Sequence, residues 1–191
     1  AWWKKRLTEA LETYDVVRID HFRGLDRYYE ISADAKNAVN GKWQDGPKEK
    51  LFEGLNCGES VIAEDLGLID EGVRALLEKT GFSGMKVLLF AFDGNPDNAF
   101  LPKNITENSV CYTGTHDNDT VAGYVQSFET EDFIIFRSRV AAALAEEDIL
   151  VSLGEGEKGV CDAFLRMALA SKARLAILPV QDLLGLGNES R

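Results

Sequence analysis

Residues 16–20, VVRID, combine a short apolar run with an acid at its end. Two further runs have the same form: VIAED over residues 61–65, which contains Glu64, and VCYTGTHD over 110–117, which Asp117 closes. The acids are 44 and 53 residues apart, gaps that hold a helix and loops between parallel strands and are too long for a hairpin. In a parallel barrel the ends of all strands emerge on one face, so we expect the three acids to share a pocket.

Hydrophobic spacing predicts helices and strands that alternate along the chain. The predicted strands are residues 16–19, 60–63, 85–92, 110–114 and 175–180. The predicted helices are residues 2–14, 131–147 and 160–169, a short helix near 48–55, and a helix that Asp70 caps at its start and Gly81 ends. Residues 21–60 and 93–109 are rich in turn residues and are predicted to be long connections. This alternation is typical of an α/β protein with a parallel sheet. Five strands in 191 residues fall short of a closed (β/α)8 barrel, which needs eight strands and about 250 residues.

The charge of the chain excludes two classes of partner. It carries 32 acidic and 21 basic residues, a net charge of −11. A nucleic-acid-binding protein presents a basic face to phosphates, and an anionic membrane surface attracts basic segments. The sequence therefore predicts neither kind of partner, and a neutral substrate such as a sugar is compatible with it.

Cysteine usage indicates a reducing compartment. Cys57, Cys111 and Cys161 are odd in number and lack the spacing of a disulfide framework, which favours the cytoplasm. The chain has no initiator Met, so we expect an interior piece of a longer gene product, and import into a plastid stays open as an alternative.

The residues beside the three acids favour chemistry at a glycosidic bond, which needs one ionised carboxylate and one carboxyl that holds a proton. Arg18 is two residues before Asp20, so both side chains share one face of the strand, and the guanidinium would keep Asp20 ionised as a nucleophile requires. Glu64 has no basic neighbour in sequence, which suits a general acid. Asp117, with His116 before it, could bind the ring hydroxyls of a sugar and balance the positive charge that develops on it.

Other interpretations compete with this one. Arg18–Asp20 is equally a structural ion pair, and single acids such as Asp117 cap turns and helices. The THDND cluster around Asp117 resembles a metal site, but such sites generally use several histidines and the chain has only His21 and His116, so we expect no metal. No P-loop, dinucleotide fingerprint or Gly-x-Ser-x-Gly elbow occurs, and no cofactor is expected.

Four aromatic residues near the strand ends are candidates for stacking on sugars, and core packing is the alternative for each of them: Phe22, Tyr28, Trp43 and Phe90.

In combination, the motifs VRIDHFRG, IAEDLG, GMKVLLFAF, YTGTHDNDT and LPVQDLLGLGNESR resemble the 4-alpha-glucanotransferases of glycoside hydrolase family 77, also called amylomaltases or disproportionating enzymes. The resemblance extends in order over essentially the whole chain. It implies an incomplete (β/α)8 TIM barrel with helical insertions, in which residues 1–191 form a C-terminal portion from about the third helix through strands 4 to 8. It also implies retaining transfer of α-1,4-glucan segments to another glucan or glucose through a covalent glycosyl-enzyme, with malto-oligosaccharides as substrates.

The resemblance assigns roles to residues by motif. Asp20 corresponds to the nucleophile, Glu64 to the general acid/base and Asp117 to the acid that stabilises the transition state. Four further residues correspond to substrate contacts: Arg18, His116, His21 and Phe90. Two departures lie in the connection after the first catalytic strand, Tyr29 where the family has Trp and Lys48 where Gly is usual.

Two alternatives to the transferase stay open at this point. One is an alpha-amylase-type hydrolase that passes the glycosyl group to water, and the other is a glucan-binding or structural piece without turnover. Since strands before residue 16 are lacking, we expect the isolated chain to be inactive and either to self-associate through exposed sheet edges or to fold poorly.

Overall fold

The structure, a computed structural model, describes residues 2–154 and 156–191. The chain divides into two compact units, of which the first ends at Met85 and the second spans Lys86–Arg191. Among the described residues, no helix is long and apolar enough to cross a membrane.

The first unit is built on a parallel sheet. Its elements are α1 (Trp2–Thr13), β1 (Val17–Ile19), α2 (Arg23–Asp26), β2 (Arg27–Glu30), β3 (Lys42–Asp45), β4 (Val61–Ala63), α3 (Glu71–Thr80) and the start of β5 (Ser83–Val87). β4 pairs in parallel with β1 on one side and with β5 on the other. All three residues of β4 are buried, which explains why this run has no polar side chain. The predicted α/β organisation with parallel strands is confirmed in this unit.

Three phenylalanines fill the core of the first unit. Phe22, which directly follows the Asp20–His21 pair, is completely buried and packs against Phe52 and Phe82. The rings of Phe52 and Phe82 meet edge to face with centroids 4.8 Å apart. Phe22 therefore packs in the core and is not a sugar-stacking residue, and its burial anchors the chain just after β1.

Helix α3 begins and ends where the sequence predicts. The Asp70 carboxylate accepts a hydrogen bond from the Val73 amide at 3.2 Å, as an N-cap does. Gly81 takes a φ of 69° and donates its amide to Leu77, which closes the C-terminus in the left-handed conformation that glycine favours.

The connection after β1 contains a hairpin that the sequence did not predict. β2 and β3 pair antiparallel, with Tyr29 opposite Trp43 and their ring centroids 5.4 Å apart. Nearly every residue of the hairpin is exposed, so no period-two hydrophobic signal marks it. The predicted helix near 48–55 is a short 3-10 turn over Lys48–Leu51.

Lys48 occupies a backbone conformation that suits glycine. Its φ is 51°, in the left-handed region that glycine adopts at the lowest cost. The Lys48 ammonium lies 3.5 Å from the buried Asp26 carboxylate and 3.6 Å from Asp45. These ion pairs offset part of the backbone strain at Lys48 and connect the 3-10 turn to the β2–β3 hairpin.

The second unit contains a shorter parallel pair and most of the helices. Its elements after the end of β5 are β6 (Ser109–Tyr112), α4 (Val121–Gln126), α5 (Thr130–Glu146), α6 (Glu157–Ala170), β7 (Leu175–Ile177) and α7 (Val180–Leu184). β6 and β7 are parallel, with Cys111 opposite Ala176. The two long helices are confirmed, and they contact each other through a buried cluster that includes Phe136 and Phe164.

Three predicted strands end earlier than the sequence indicated, and one of them, β6, stops at Tyr112. β5 stops at Val87, and Leu88–Phe90 form a 3-10 turn, because an apolar run alone does not distinguish a strand from a buried turn. β7 stops at Ile177, shortly before Pro179, which has no N–H for a sheet ladder and precedes helix α7.

The three cysteines are free thiols buried in the two units. Burial raises the pKa of the Cys111 thiol to about 11. Burial also raises the pKa of Cys161 to about 11, with the charge of Asp182 as a smaller cause. Thiols of this kind are packing groups and poor nucleophiles at neutral pH.

We therefore predict slow alkylation of the native protein by iodoacetamide at pH 8. A pKa near 11 leaves only about one thiolate in a thousand at this pH, and the rate should rise with pH because the deprotonated form reacts. Peptide mass spectrometry should find Cys111 and Cys161 at least about 100-fold more reactive in urea than in the folded protein. Rapid labelling of both without denaturant would contradict this account.

Candidate functional site

In the first unit, Asp20 and Glu64 follow directly on neighbouring parallel strands. Ile19 of β1 is the register partner of Ala63 of β4, so the two acids stand one residue beyond a matched pair. The ladder continues past the strands: the Glu64 amide donates to the Ile19 carbonyl at 2.9 Å, and the Phe22 amide donates to the Glu64 carbonyl at 3.1 Å. The backbone thus fixes the two acids beside each other at the same end of the sheet.

Asp20 is oriented by an ion pair. Arg18 Nη1 lies 2.9 Å from Asp20 Oδ1, so the structure brings together the two residues that the sequence placed on one face. The Asp20 side chain is 76% exposed and the Arg18 side chain 28%. Asp20 is therefore accessible to a substrate while the guanidinium beside it stays largely packed.

Glu64 is held by backbone amides. Its Oε2 accepts from the His21 amide at 2.8 Å, and its Oε1 accepts from the Leu66 amide at 3.0 Å. The next acid, Asp65, accepts from the Met85 amide at 2.7 Å. Two backbone amides thus orient the Glu64 carboxylate, one of them from the residue after Asp20, whereas Asp65 binds the backbone of β5.

His21 contributes its backbone to this arrangement. Its φ of 47° lies in the left-handed region, which costs a non-glycine residue of order 1–3 kcal/mol. That conformation accompanies the hydrogen bond from its amide to Glu64. Sequence reasoning missed this donor, and the Leu66 donor, because an amide has no side-chain signature.

In the second unit, His116 and Asp117 lie in the loop that follows β6. His116 Nε2 is 3.3 Å from Asp117 Oδ2, and the two side chains are 73% and 74% exposed. A turn supports them: the Thr115 amide donates to Asn118 Oδ1 at 3.0 Å, and the Asp117 amide donates to Thr115 Oγ1 at 3.3 Å. Both polar groups are therefore presented to solvent on a hydrogen-bonded turn.

Phe90 is the exposed member of an otherwise buried turn in the second unit. It is 41% exposed, whereas Leu88 and Leu89 beside it are buried. Its ring packs edge to face on Phe100, and its carbonyl accepts from Asn98 Nδ2 at 2.8 Å. An exposed aromatic ring with a fixed backbone suits contact with a sugar face.

Two further aromatic candidates are exposed in the first unit. Tyr28 and Trp43 lie on the β2–β3 hairpin, and Arg23 stacks over the Trp43 ring at 5.0 Å from its centroid.

Within residues 2–154 and 156–191, no group of three or more His, Cys, Asp or Glu side chains is arranged to hold a metal ion.

A family model for glycoside hydrolase family 77, described as 4-alpha-glucanotransferase, matches residues 1–191. The chain belongs to this family. Relatives include the 4-alpha-glucanotransferase of Thermus thermophilus, 44% identical over 196 residues, and the chloroplastic/amyloplastic 4-alpha-glucanotransferase of Arabidopsis thaliana, 39% identical over 194. Each alignment covers 100% of this chain but only 38% and 32% of those proteins. The family 77 chain therefore spans about a third of the length of these relatives.

Solved structures agree with the family assignment. An amylomaltase from Streptococcus agalactiae, solved in complex with acarbose, matches with a TM-score of 0.81 and 33% identity over 100% of this chain and 37% of that one. Amylomaltase from Corynebacterium glutamicum matches with a TM-score of 0.68 over 94% of this chain and 30% of that one; at 20% identity this match shows the fold alone.

Proposed function

We propose that the full-length protein containing this chain transfers α-1,4-glucan segments to another glucan or to glucose through a covalent glycosyl-enzyme. One observation carries this proposal. Asp20, paired with Arg18, and Glu64, bound by the His21 amide, follow directly on two parallel strands whose last residues are register partners. Membership of family 77 and relatives named 4-alpha-glucanotransferase support it. The substrate is a malto-oligosaccharide or longer α-1,4-glucan.

In the first step, an Asp20 carboxylate oxygen attacks the anomeric carbon while the glycosidic C–O bond breaks. Glu64 gives its proton to the leaving glycosidic oxygen, and a β-glycosyl-enzyme results. In the second step, an acceptor hydroxyl gives its proton to Glu64 and attacks the same carbon, which releases Asp20. Two inversions leave the configuration retained.

The strand geometry supports a retaining mechanism. Neighbouring strands lie about 4.8 Å apart, and Asp20 and Glu64 occupy matched positions on such a pair. Carboxyl groups at such positions can approach to about 5–5.5 Å, the separation of retaining enzymes, whereas inverting enzymes hold theirs about 6.5–9.5 Å apart.

The remaining residues have supporting roles in this mechanism. Asp117 balances the positive charge of the oxocarbenium-like transition state, and His116 binds ring hydroxyls with it. Their exposure on a turn after β6 supports these roles. Three other side chains contact the glucan: Arg18, His21 and Phe90.

The proposed enzyme is a (β/α)8 barrel, to which this chain contributes about strands 4 to 8. Parallel pairing of β1 with β4 and of β6 with β7, each across a helix-containing connection, supports this assignment. No nucleic acid or membrane is a partner, in keeping with a net charge of −11. The three free, buried cysteines support a cytoplasmic location, and plastid location, as named for the Arabidopsis relative, is the alternative.

The proposal is tested by incubating the full-length protein with maltotriose and analysing the products over time. A transferase yields glucose together with chains longer than maltotriose, because the glycosyl group passes to sugar. Asp20→Asn should lower the rate at least about 1,000-fold, because the amide cannot form the ester intermediate.

Asp34→Asn is the matched control, since Asp34 lies in an exposed turn of the same unit, and it should leave the rate unchanged. Products that are only shorter than maltotriose would identify a hydrolase. Near-normal turnover of Asp20→Asn would exclude Asp20 as the nucleophile.

The isolated chain is expected to be inactive and to self-associate. Among the described residues, β1 in the first unit and β7 in the second are each paired on one side, and exposed edges recruit further strands. Size-exclusion chromatography with light scattering should show oligomers at micromolar concentration. A monomer with the transfer rate of the full-length protein would contradict both expectations.

A further inference from the structure

The end of the second unit contacts the loop that carries His116 and Asp117. We call residues 182–191 the clamp segment and residues 114–120 the His116–Asp117 loop. Because the His116 and Asp117 side chains are about three-quarters exposed, packing does little to orient them. Their positions depend on what fixes the backbone of the loop.

Asp182 holds both ends of the loop. The Thr113 hydroxyl, just before the loop, donates to Asp182 Oδ2 at 2.5 Å, and the Val121 amide, just after it, donates to Oδ1 at 2.8 Å. Asp182 is 2% exposed, and both donors are buried. One buried carboxylate therefore fixes the separation of the two loop ends.

Asn188 holds the last residue of the loop. Its Oδ1 accepts from the Thr120 amide at 3.0 Å. Asn188 approaches so closely over Gly123 that a Cβ there would lie 2.3 Å from its Oδ1. Thr120 in turn caps helix α4 by accepting from the Gly123 amide, so the loop end, the helix start and Asn188 form one hydrogen-bonded unit.

Arg191 reaches the middle of the loop. Its Nη1 lies 3.2 Å from Asp119 Oδ1, and its Nη2 lies 3.4 Å from the carbonyl of His116. The guanidinium thereby bridges the residues on either side of Asp117 and Asn118. The guanidinium presents several N–H donors in a fixed, planar fork, so it can make both contacts at once. The single ammonium group of a lysine cannot reproduce this geometry.

The clamp segment has its own internal support. The Leu186 amide donates to the Gln181 carbonyl at 2.8 Å, and Gln181 Nε2 donates to the Ser190 carbonyl at 3.0 Å. Both bonds involve Gln181, directly before the segment, and they link its start to its end, so that Asp182, Asn188 and Arg191 lie on one hydrogen-bonded stretch.

We propose that Asp182, Asn188 and Arg191 are positioning residues for Asp117: they set the backbone of the His116–Asp117 loop so that the carboxylate meets the sugar at the transition state. This inference rests on the proposed function, because it takes Asp117 as the stabilising acid. A displacement of about 1 Å is enough to lower a rate about 100-fold, so loss of a clamp contact should act on turnover.

The test uses the full-length protein and two variants at partly exposed contacts, Arg191→Met and Asn188→Ala. Arg191→Lys is the conservative partner, and Arg166→Met, an exposed arginine of helix α6, is the matched control. With maltotriose, kcat should fall about 10- to 100-fold in both variants, with KM changed less than about threefold. Arg191→Lys should recover part of kcat, and Arg166→Met should match the wild type.

Hydrogen exchange measured by mass spectrometry supplies a readout that does not need turnover. In Arg191→Met and Asn188→Ala, exchange should rise in the peptide that spans the loop and stay unchanged in the peptide that spans α5, with melting temperatures within about 2 °C of wild type. An unchanged kcat together with unchanged hydrogen exchange of the loop in these variants would overturn the proposed role of the clamp segment. So would a loss of kcat accompanied by faster exchange throughout the second unit, because that indicates a general loss of structure.

Asp117→Asn, measured alongside, separates this inference from the proposed function. A normal kcat in Asp117→Asn overturns the role of Asp117 itself. An inactive Asp117→Asn together with normal Arg191→Met and Asn188→Ala overturns the clamp alone.

Discussion

The parallel register between β1 and β4 is the constraint on which the rest of the candidate site depends. Pairing of Ile19 with Ala63 places Asp20 and Glu64 at equivalent positions just beyond the sheet. A slip of one residue would turn one of the two acids to the opposite face, because side chains alternate along a strand. The register is held by the buried apolar residues of β4 and by the Phe22 cluster directly after β1. Packing of the core thus determines the geometry of the chemistry.

Orientation of the site comes from hydrogen bonds and an ion pair rather than from burial. Asp20 is set by Arg18, and Glu64 is set by the amides of His21 and Leu66. This leaves the carboxylates accessible to a sugar while their directions are fixed. The Asp182 carboxylate differs from these two because it is buried. Both of its oxygens accept hydrogen bonds from residues next to the His116–Asp117 loop. In our proposal the same residue type serves chemistry in one place and positioning in the other, according to exposure.

Much of this arrangement is readable from the sequence. The short apolar runs that precede Asp20 and Glu64 predict their positions at strand ends, and Asp70 and Gly81 predict the bounds of α3. The β2–β3 hairpin was not found, because an element exposed on nearly all sides has no hydrophobic period. The apolar run 85–92 predicts one strand, whereas the structure has a strand end and a turn, because buried turns and buried strands have the same composition. The amide donors to Glu64 and the role of Asp182 depend on long-range contacts that a local pattern does not encode.

The central claim is that Asp20 forms the covalent bond while Glu64 activates the acceptor. It is tested most directly with the full-length Glu64→Gln variant and α-maltosyl fluoride. Fluoride departs without an acid, so the first step proceeds, whereas the second step lacks its base and the intermediate accumulates. Peptide mass spectrometry should then find one maltosyl group on the peptide that contains Asp20. Fluoride release with the sugar on a different residue, or with no labelled peptide at all, would contradict the account.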